Sequence, residues 1–162
     1  MSKDHIPVMM RQVVEALHIE KHEKYIDATL GAGGHTAEIL KLSGRVLAIE
    51  ADLSMIEIAR GNIQNAKIIN GNFRNIKRIA SENDFLEVSA VLFDLGVSSV
   101  HLTDENRGFS FSNPDAPLDM RIDSDSQDVT ASILLSSLRE DQLMVLFGKT
   151  MNFSDARHLA KK

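Results

Sequence analysis

The residues best suited to chemistry stand where short apolar segments of the chain end. Residues 27–35 form a glycine-rich stretch after the first such segment, and Glu50 ends the second. Glycines between a strand and a helix let the backbone approach a ligand closely and aim the amides of the helix N-terminus at it. A carboxylate at the end of the next strand can accept hydrogen bonds from both ribose hydroxyls of an adenosine. The pattern predicts an adenosine site, with Asp27 near the amino group of an adenosyl amino acid.

A nicotinamide dinucleotide is the rival ligand for the same glycine-rich stretch. Its fingerprint requires glycines spaced G-x-G-x-x-G. Gly31 and Gly33 supply the first two positions, but Thr36 occupies the third. The spacing therefore favours an adenosyl amino acid, and titration with both ligands separates the two hypotheses.

Two further apolar segments also end in residues that suit a binding site. Phe73 follows the third segment and could lie against an adenine ring, while Asp94 ends the fourth, directly before residues 95–99. In open α/β sheets, ligands bind beyond the carboxyl ends of the strands. We therefore expect Phe73 and Asp94 to project over the same edge of a sheet as Asp27 and Glu50.

The elements that must position these residues alternate between strand and helix. Apolar segments predict strands at residues 24–27, 45–50, 67–70 and 90–94, with helical segments between them. This alternation is typical of parallel βαβ units and an α/β fold. We expect a first domain over residues 1–102 and a second over residues 103–162, formed by a polar loop and helices.

Composition excludes several classes of protein. With 18 Lys and Arg against 23 Asp and Glu, the net charge of −5 argues against a sequence-indifferent nucleic-acid binder. The absence of cysteine excludes disulfides and a cysteine nucleophile. His18 and His22 lack a third ligand, so we expect no metal site. The apolar runs are too short for a membrane helix and a secretion signal is lacking, so we expect a cytoplasmic protein without membrane contact.

Five ordered segments resemble the MraW/RsmH family, bacterial small-subunit rRNA cytosine-N(4) methyltransferases that use S-adenosylmethionine. These segments are residues 5–9, 27–36, 94–99, 107–111 and 117–121. The resemblance implies a Rossmann-like class I methyltransferase core with part of an inserted helical domain. It also implies S-adenosylmethionine as the cofactor and a cytosine in the decoding region of 16S rRNA, within the small ribosomal subunit, as the substrate.

The resemblance also implies roles for individual residues. Those implied to bind the cofactor are Gly33, Gly34, His35, Glu50, Phe73, Asp94 and His101. Family members usually have glutamine where His101 stands and aspartate where Glu50 stands. The position of Asp94 at the end of the fourth segment, followed by the backbone of residues 95–97, makes it our first candidate for the catalytic acceptor of the amine proton, although the family places Asp94 chiefly on the cofactor. Asp119 is the weaker candidate, and a structural role in a turn is the favoured interpretation of it.

The length of the chain leaves a second hypothesis open. Family members are about twice as long, with further strands in the half that is missing here. The chain is therefore either an rRNA methyltransferase or a truncated, inactive module that binds the cofactor or the ribosome without turnover. A four-stranded sheet would also leave the edge beside the fourth strand uncovered, which favours a homo-oligomer formed through that edge.

Overall fold

The computed structural model describes residues 7–162 and divides into two compact units, Met1–Ser99 and Val100–Lys162. Residues 5 and 6, at the start of the first family-like segment, lie outside the described residues. The elements of the first unit are α1 (Met10–Leu17), β1 (Lys24–Asp27), α2 (Gly34–Lys41), β2 (Arg45–Glu50), α3 (Leu53–Asn62), β3 (Lys67–Asn70), a 3-10 turn (Phe73–Asn75), α4 (Ile76–Glu82) and β4 (Ala90–Leu92). α5 (Ser99–Thr103) begins at the boundary between the units, and the second unit continues with α6 (Ala131–Ser137), α7 (Glu140–Phe147) and α8 (Phe153–Ala160).

The four strands form one parallel sheet in the order β3-β2-β1-β4. In the register, Ile26 of β1 lies between Leu47 of β2 and Val91 of β4. This order is that of the first four strands of a Rossmann-like sheet. The predicted α/β fold class is thereby confirmed.

Strand β4 is shorter than the sequence pattern predicts, because it ends at Leu92 and not at Asp94. β1 ends at Asp27, and the last backbone bond between the two strands runs from the N–H of Ala28 to the carbonyl of Leu92. Beyond that point the N–H of Asp94 donates to the side chain of Thr29. Asp94 therefore lies just outside the sheet, at its carboxyl edge.

Alternating side chains of the strands feed two hydrophobic clusters, as expected where successive residues point to opposite faces of a sheet. Tyr25 and Val46 pack into the cluster that includes residues of α2 and α3. Ile26 and Leu47 pack into the other, which includes Ile79 of α4. The sheet is therefore covered on both faces, and its carboxyl edge is where the loops that follow the strands gather.

The second unit is helical, and its residues 100–162 contain no strand. Helices α6 and α8 are capped by the residues before them, Thr130 and Asn152, whose side chains accept hydrogen bonds from backbone N–H groups of the first turn. Such caps satisfy amides that a helix cannot satisfy internally. In residues 7–162, no helix has the length and apolar character needed to cross a membrane.

Candidate functional site at the carboxyl edge of the sheet

The site is located by the point at which the chain reverses its direction across the sheet. After β1 the chain adds β2 and then β3 on one side of it, and the connection after β3 then crosses back so that β4 pairs with β1 on its other side. Ligands of open α/β sheets bind in the crevice at such a switch point. Here the crevice lies between the ends of β1 and β4, where Thr29 Oγ1 accepts a 2.7 Å hydrogen bond from the N–H of Asp94.

The carboxylate of Asp27 organises the loop after β1 from inside the protein. Asp27 is 1% exposed, and it accepts hydrogen bonds from the hydroxyl of Thr36 at 2.7 Å and from the N–H of Thr29 at 3.2 Å. Burial raises the pKa of Asp27, since the charged form loses its hydration. Contact between Asp27 and the amino group of a ligand stays a prediction, and a ligand could reach this buried carboxylate only from within the loop that encloses it.

Two glycines of the loop are required by close packing against neighbouring residues, which the sequence alone did not show. Gly33 has a φ of 87°, in the left-handed region that favours glycine, and a Cβ there would lie 3.2 Å from Ile63 Cγ2. A Cβ on Gly34 would overlap the ring of Pro7. Both glycines let α2 begin close to its neighbours. The first turn of α2, with its unpaired amides, consequently lies at the carboxyl edge of the sheet.

Glu50 ties the end of β2 to the glycine loop. One carboxylate oxygen accepts from the N–H of Gly31 at 2.8 Å, and the other accepts from the N–H groups of Ala51 and Asp52 at 2.9 and 3.0 Å. A carboxylate offers about four lone-pair positions. One position therefore remains for a ribose hydroxyl, and a second hydroxyl would have to replace one of the amides.

Two aromatic rings meet beside the site. Phe73 and Phe93 lie edge to face, with ring centroids 5.7 Å apart and an angle of 88° between the rings. They follow β3 and β4, which stand at opposite edges of the sheet. Phe73 remains 41% exposed, so part of its ring is accessible to a planar ligand. Sequence reasoning missed Phe93, whose signal was its place as the last apolar residue of the fourth segment, directly before Asp94.

His35 and Asp94 face each other across the crevice. His35 is buried, and its Nε2 lies 3.1 Å from the carbonyl oxygen of Val8. A carbonyl only accepts, so this contact assigns the proton to Nε2. Nδ1 then faces Asp94 Oδ2 at 3.9 Å, while the side chain of Asp94 is 42% exposed. The carboxylate of Asp94 is therefore open to solvent, with His35 on one side of it.

The remaining two candidates belong to the second unit. His101 is buried, and its ring centroid lies 5.5 Å from that of Phe109. Asp119 holds Arg121 by two hydrogen bonds of 2.8 and 2.6 Å, and this guanidinium lowers the pKa of Asp119 to about 2. A carboxylate so strongly paired is a poor proton acceptor, which favours the structural role for Asp119.

Within the first unit, the structure brings most of the predicted site residues together. The glycine loop, Glu50, His35 and Asp94 share the carboxyl edge of the sheet, and Phe73 lies beside Phe93. Sequence reasoning also missed Thr29, which joins the two halves of the crevice. Among residues 7–162, no group of three or more His, Cys, Asp or Glu side chains could hold a metal ion.

Comparison with known proteins finds relatives that carry one name. The chain is 36% identical over 165 residues to ribosomal RNA small subunit methyltransferase H of Dictyoglomus thermophilum, covering 98% of this chain and 55% of that protein. It is 35% identical over 163 residues to the protein of the same name from Methylacidiphilum infernorum, covering 99% of this chain and 51% of that protein. The chain therefore spans about half the length of the curated relatives it matches.

A family model describes almost the whole of this chain. The model of the MraW methylase family matches residues 2–162, which include both structural units. The matched residues contain the glycine loop and all four strands, including the ends of β1 and β4 between which the crevice lies. The predicted resemblance is thereby confirmed, and the chain belongs to the MraW methylase family.

Proposed function

We propose that this chain forms the cofactor-binding part of an enzyme that uses S-adenosylmethionine to methylate N4 of a cytosine in the decoding region of 16S rRNA. The observation that carries the proposal is the crevice at the switch point, where Glu50 and Asp94 flank the glycine loop in a chain of this family. Such an enzyme would act in the bacterial cytoplasm, on the small ribosomal subunit.

The residues present in the crevice fit this cofactor. Glu50 keeps one lone-pair position for a ribose hydroxyl, and Phe73 has an accessible ring for adenine. The amides of Gly34 and His35, in the first turn of α2, suit the carboxylate of an amino acid. S-adenosylmethionine, when bound, supplies an electrophilic methyl group on a positively charged sulfur.

Asp94 is the group that we propose to act on the substrate amine. The exocyclic amine of cytosine is a poor nucleophile, because its lone pair is delocalised into the ring. Asp94 would accept a hydrogen bond from this amine, orient its lone pair toward the methyl group and then take the surplus proton. Its backbone is held by Thr29 and its carboxylate is open to solvent, as this role requires. Asp119, held by Arg121 with a pKa of about 2, is not used.

A second candidate function is a module that binds the cofactor or the ribosome without turnover, and the outer edge of β4 is the observation that favours it. Within the described residues, β4 pairs only with β1, so its outer edge is free to accept another strand. Association of two copies through this edge would cover exposed backbone.

The experiment measures cofactor binding and turnover separately. Calorimetry with S-adenosylmethionine, with NAD as the control ligand, tests the site in the parent chain and in Asp94→Asn. A methyl-transfer assay on undermethylated small ribosomal subunits then compares this chain with the full-length Dictyoglomus thermophilum relative. Binding with turnover supports the enzyme, whereas binding without turnover supports the module. Failure to bind S-adenosylmethionine overturns both cofactor-dependent proposals.

The role of Asp94 is tested in whichever protein turns over. If Asp94 accepts the proton, Asp94→Asn lowers methyl transfer by about 100-fold or more while cofactor affinity is retained. A loss of cofactor affinity with near-normal turnover at saturation would instead assign Asp94 to binding alone. The equivalent aspartate of the full-length relative is changed in parallel if this chain is inactive.

A further inference from the structure

The imidazole of His35 is fixed by the residues that precede α1. Its side chain is 7% exposed, and its Nε2 donates to the carbonyl oxygen of Val8 at 3.1 Å. The ring of Pro7 lies against Gly34, one residue before His35. Residues 7 and 8 therefore hold the imidazole at the start of α2, and the carbonyl of Val8 determines which ring nitrogen carries the proton.

The other ring nitrogen of His35 faces a second acceptor. With the proton on Nε2, Nδ1 of the neutral ring accepts hydrogen bonds and cannot donate them. Within residues 7–162, Nδ1 accepts no hydrogen bond from the protein, and it lies 3.9 Å from Oδ2 of Asp94. An ionised carboxylate also accepts only. These two atoms therefore cannot bond to each other, and both can bond to one donor placed between them.

The spacing of this acceptor pair, His35 Nδ1 and Asp94 Oδ2, suits a single nitrogen that carries two N–H bonds. A nitrogen at about 2.9 Å from both atoms would see them at an angle of about 85°. The angle between the N–H bonds of an amine is wider than this, and it narrows as the nitrogen changes from planar to tetrahedral. Hydrogen bonds tolerate the remaining bend, since they weaken steeply only below about 120°. The pair consequently fits a nitrogen that is becoming tetrahedral better than a planar one.

We propose that His35 is a second acceptor for the substrate amine, with Nδ1 of His35 holding one N–H of the cytosine amine while Asp94 holds the other. An amine held by both acceptors cannot rotate about its bond to the ring, and its lone pair is kept out of the plane of the base. The inference rests on the proposed function, in which Asp94 contacts this amine, and it adds His35 as a residue that touches the substrate.

The acceptor pair also distinguishes cytosine from uracil. Uracil carries a carbonyl oxygen where cytosine carries the amine, so it offers an acceptor and no N–H at this position. His35 Nδ1 and Asp94 Oδ2 would both repel that oxygen and would be left without a donor. Buried polar groups left unpaired in this way give strong discrimination against the wrong ligand.

The amino group of S-adenosylmethionine is the other donor that this pair could hold. The substrate amine is favoured because the side chain of Asp94 is 42% exposed, and a base of a large RNA must enter from the solvent side. The cofactor already has the backbone amides at the start of α2 for its amino-acid end. A direct test must therefore separate these two sources of N–H.

Nitrogen-15 NMR of the imidazoles reads the acceptor pair without turnover. The parent chain is labelled at its six histidines, and the spectrum of His35→Gln identifies the signals of His35. Cytidine and uridine are titrated in the presence and in the absence of S-adenosylhomocysteine, which has the amino group of the cofactor but no methyl group to transfer. We expect Nδ1 of His35 to be unprotonated, and to move upfield with cytidine but not with uridine.

Two substitutions separate the acceptor from a structural role of His35. His35→Gln can still donate to Val8 through its amide nitrogen but places no acceptor where Nδ1 lies. His35→Asn places its amide oxygen close to that point but does not reach Val8. We expect His35→Gln to lower kcat for cytosine methylation about tenfold or more, and His35→Asn to retain a higher kcat than His35→Gln. His158→Gln, the same substitution at an exposed histidine of α8, is the matched control and keeps the parent kcat. If the chain does not turn over, the NMR titration decides alone.

Several results would overturn the inference. They are a protonated Nδ1, no response of Nδ1 to cytidine at millimolar concentration, and an equal response to uridine. A response to S-adenosylhomocysteine that cytidine does not change would assign the pair to the amino group of the cofactor. A lower kcat in His35→Asn than in His35→Gln would leave His35 with a structural role alone.

Calorimetry with S-adenosylmethionine on the same samples separates the two proposals. If the cofactor binds and Nδ1 of His35 does not respond to cytidine, the inference about His35 falls and the proposed function stands. If Nδ1 responds to cytidine and the cofactor does not bind, the proposed function falls and the acceptor pair remains a site for the cytosine amine.

Discussion

The carboxylate of Glu50 offers the most direct test of the crevice, because it accepts three backbone hydrogen bonds and one of them, from the N–H of Gly31, joins the glycine loop to β2. In Glu50→Gln, one oxygen can still accept from Ala51 and Asp52, but the amide nitrogen then faces the N–H of Gly31. Two donors cannot bond, so the Gly31 contact is lost and the charge that strengthens the other two is removed.

The magnitude follows from these contacts. A hydrogen bond to a charged group contributes about 1.5–3 kcal/mol. We therefore expect Glu50→Gln to lower the free energy of unfolding by about 2–4 kcal/mol. Glu50→Asp is the matched control: it keeps the charge and the two local bonds but is one methylene too short for Gly31. Its loss should be about 1.5 kcal/mol, at the lower end of the range.

Urea unfolding followed by circular dichroism measures both losses, and calorimetry measures the affinity for S-adenosylmethionine. Cofactor affinity should fall about tenfold or more in Glu50→Gln, since the lone pair for the ribose hydroxyl belongs to the same carboxylate. If the free energy of unfolding of Glu50→Gln lies within about 0.5 kcal/mol of the parent's, the carboxylate does not stabilise the loops around the crevice and the reasoning is refuted.

Three further changes test other parts of the structure. Gly108→Ala places a side chain at positive φ against a backbone carbonyl and should lower unfolding stability by at least about 2 kcal/mol in urea titrations, whereas Gly61→Ala, with open space around it, should not. Arg121→Gln should return the pKa of Asp119 from about 2 toward 3.8 in an NMR titration, and an unchanged pKa would contradict the pairing. In the parent, the stabilisation of the fold by this ion pair is complete above pH 3.8 and is lost as the pH falls through about 2. Asp27→Asn removes a buried carboxylate whose pKa is raised by burial. The free energy of unfolding of the parent should therefore rise relative to that of the variant as the pH falls below the raised pKa. A difference in urea unfolding that does not change with pH would contradict this expectation.

Much of the fold could be predicted because its signals are local. The apolar segments that became β1, β2 and β3 stand where the alternation of strand and helix placed them. Strand β4 was predicted two residues too long, because its length depends on pairing with β1. Since β1 ends at Asp27, the N–H of Asp94 donates to the side chain of Thr29 and not to a strand. A strand's length depends on its partner, which no local pattern contains.

The candidate site shows the same division between local and distant causes. The residue types that end the strands are visible in the sequence, and a parallel sheet places those ends at one edge, so Glu50 and Asp94 could be predicted to lie near the glycine loop. The contacts of each carboxylate, in contrast, depend on the folded chain. Asp27 is buried and bonds to Thr36, and Glu50 accepts a hydrogen bond from the N–H of Gly31. These partners lie on segments that come together only when the chain folds.

The glycines and Phe111 show most clearly what tertiary structure adds. Their residue types were visible in the sequence, but a glycine serves equally for ligand approach and for packing. Gly34 lies against Pro7, 27 residues earlier in the chain, and Gly108 lies against Pro117 across a loop. The sequence likewise could not show that Phe111 is fully exposed, because exposure depends on which parts of the chain fold over a side chain and which do not.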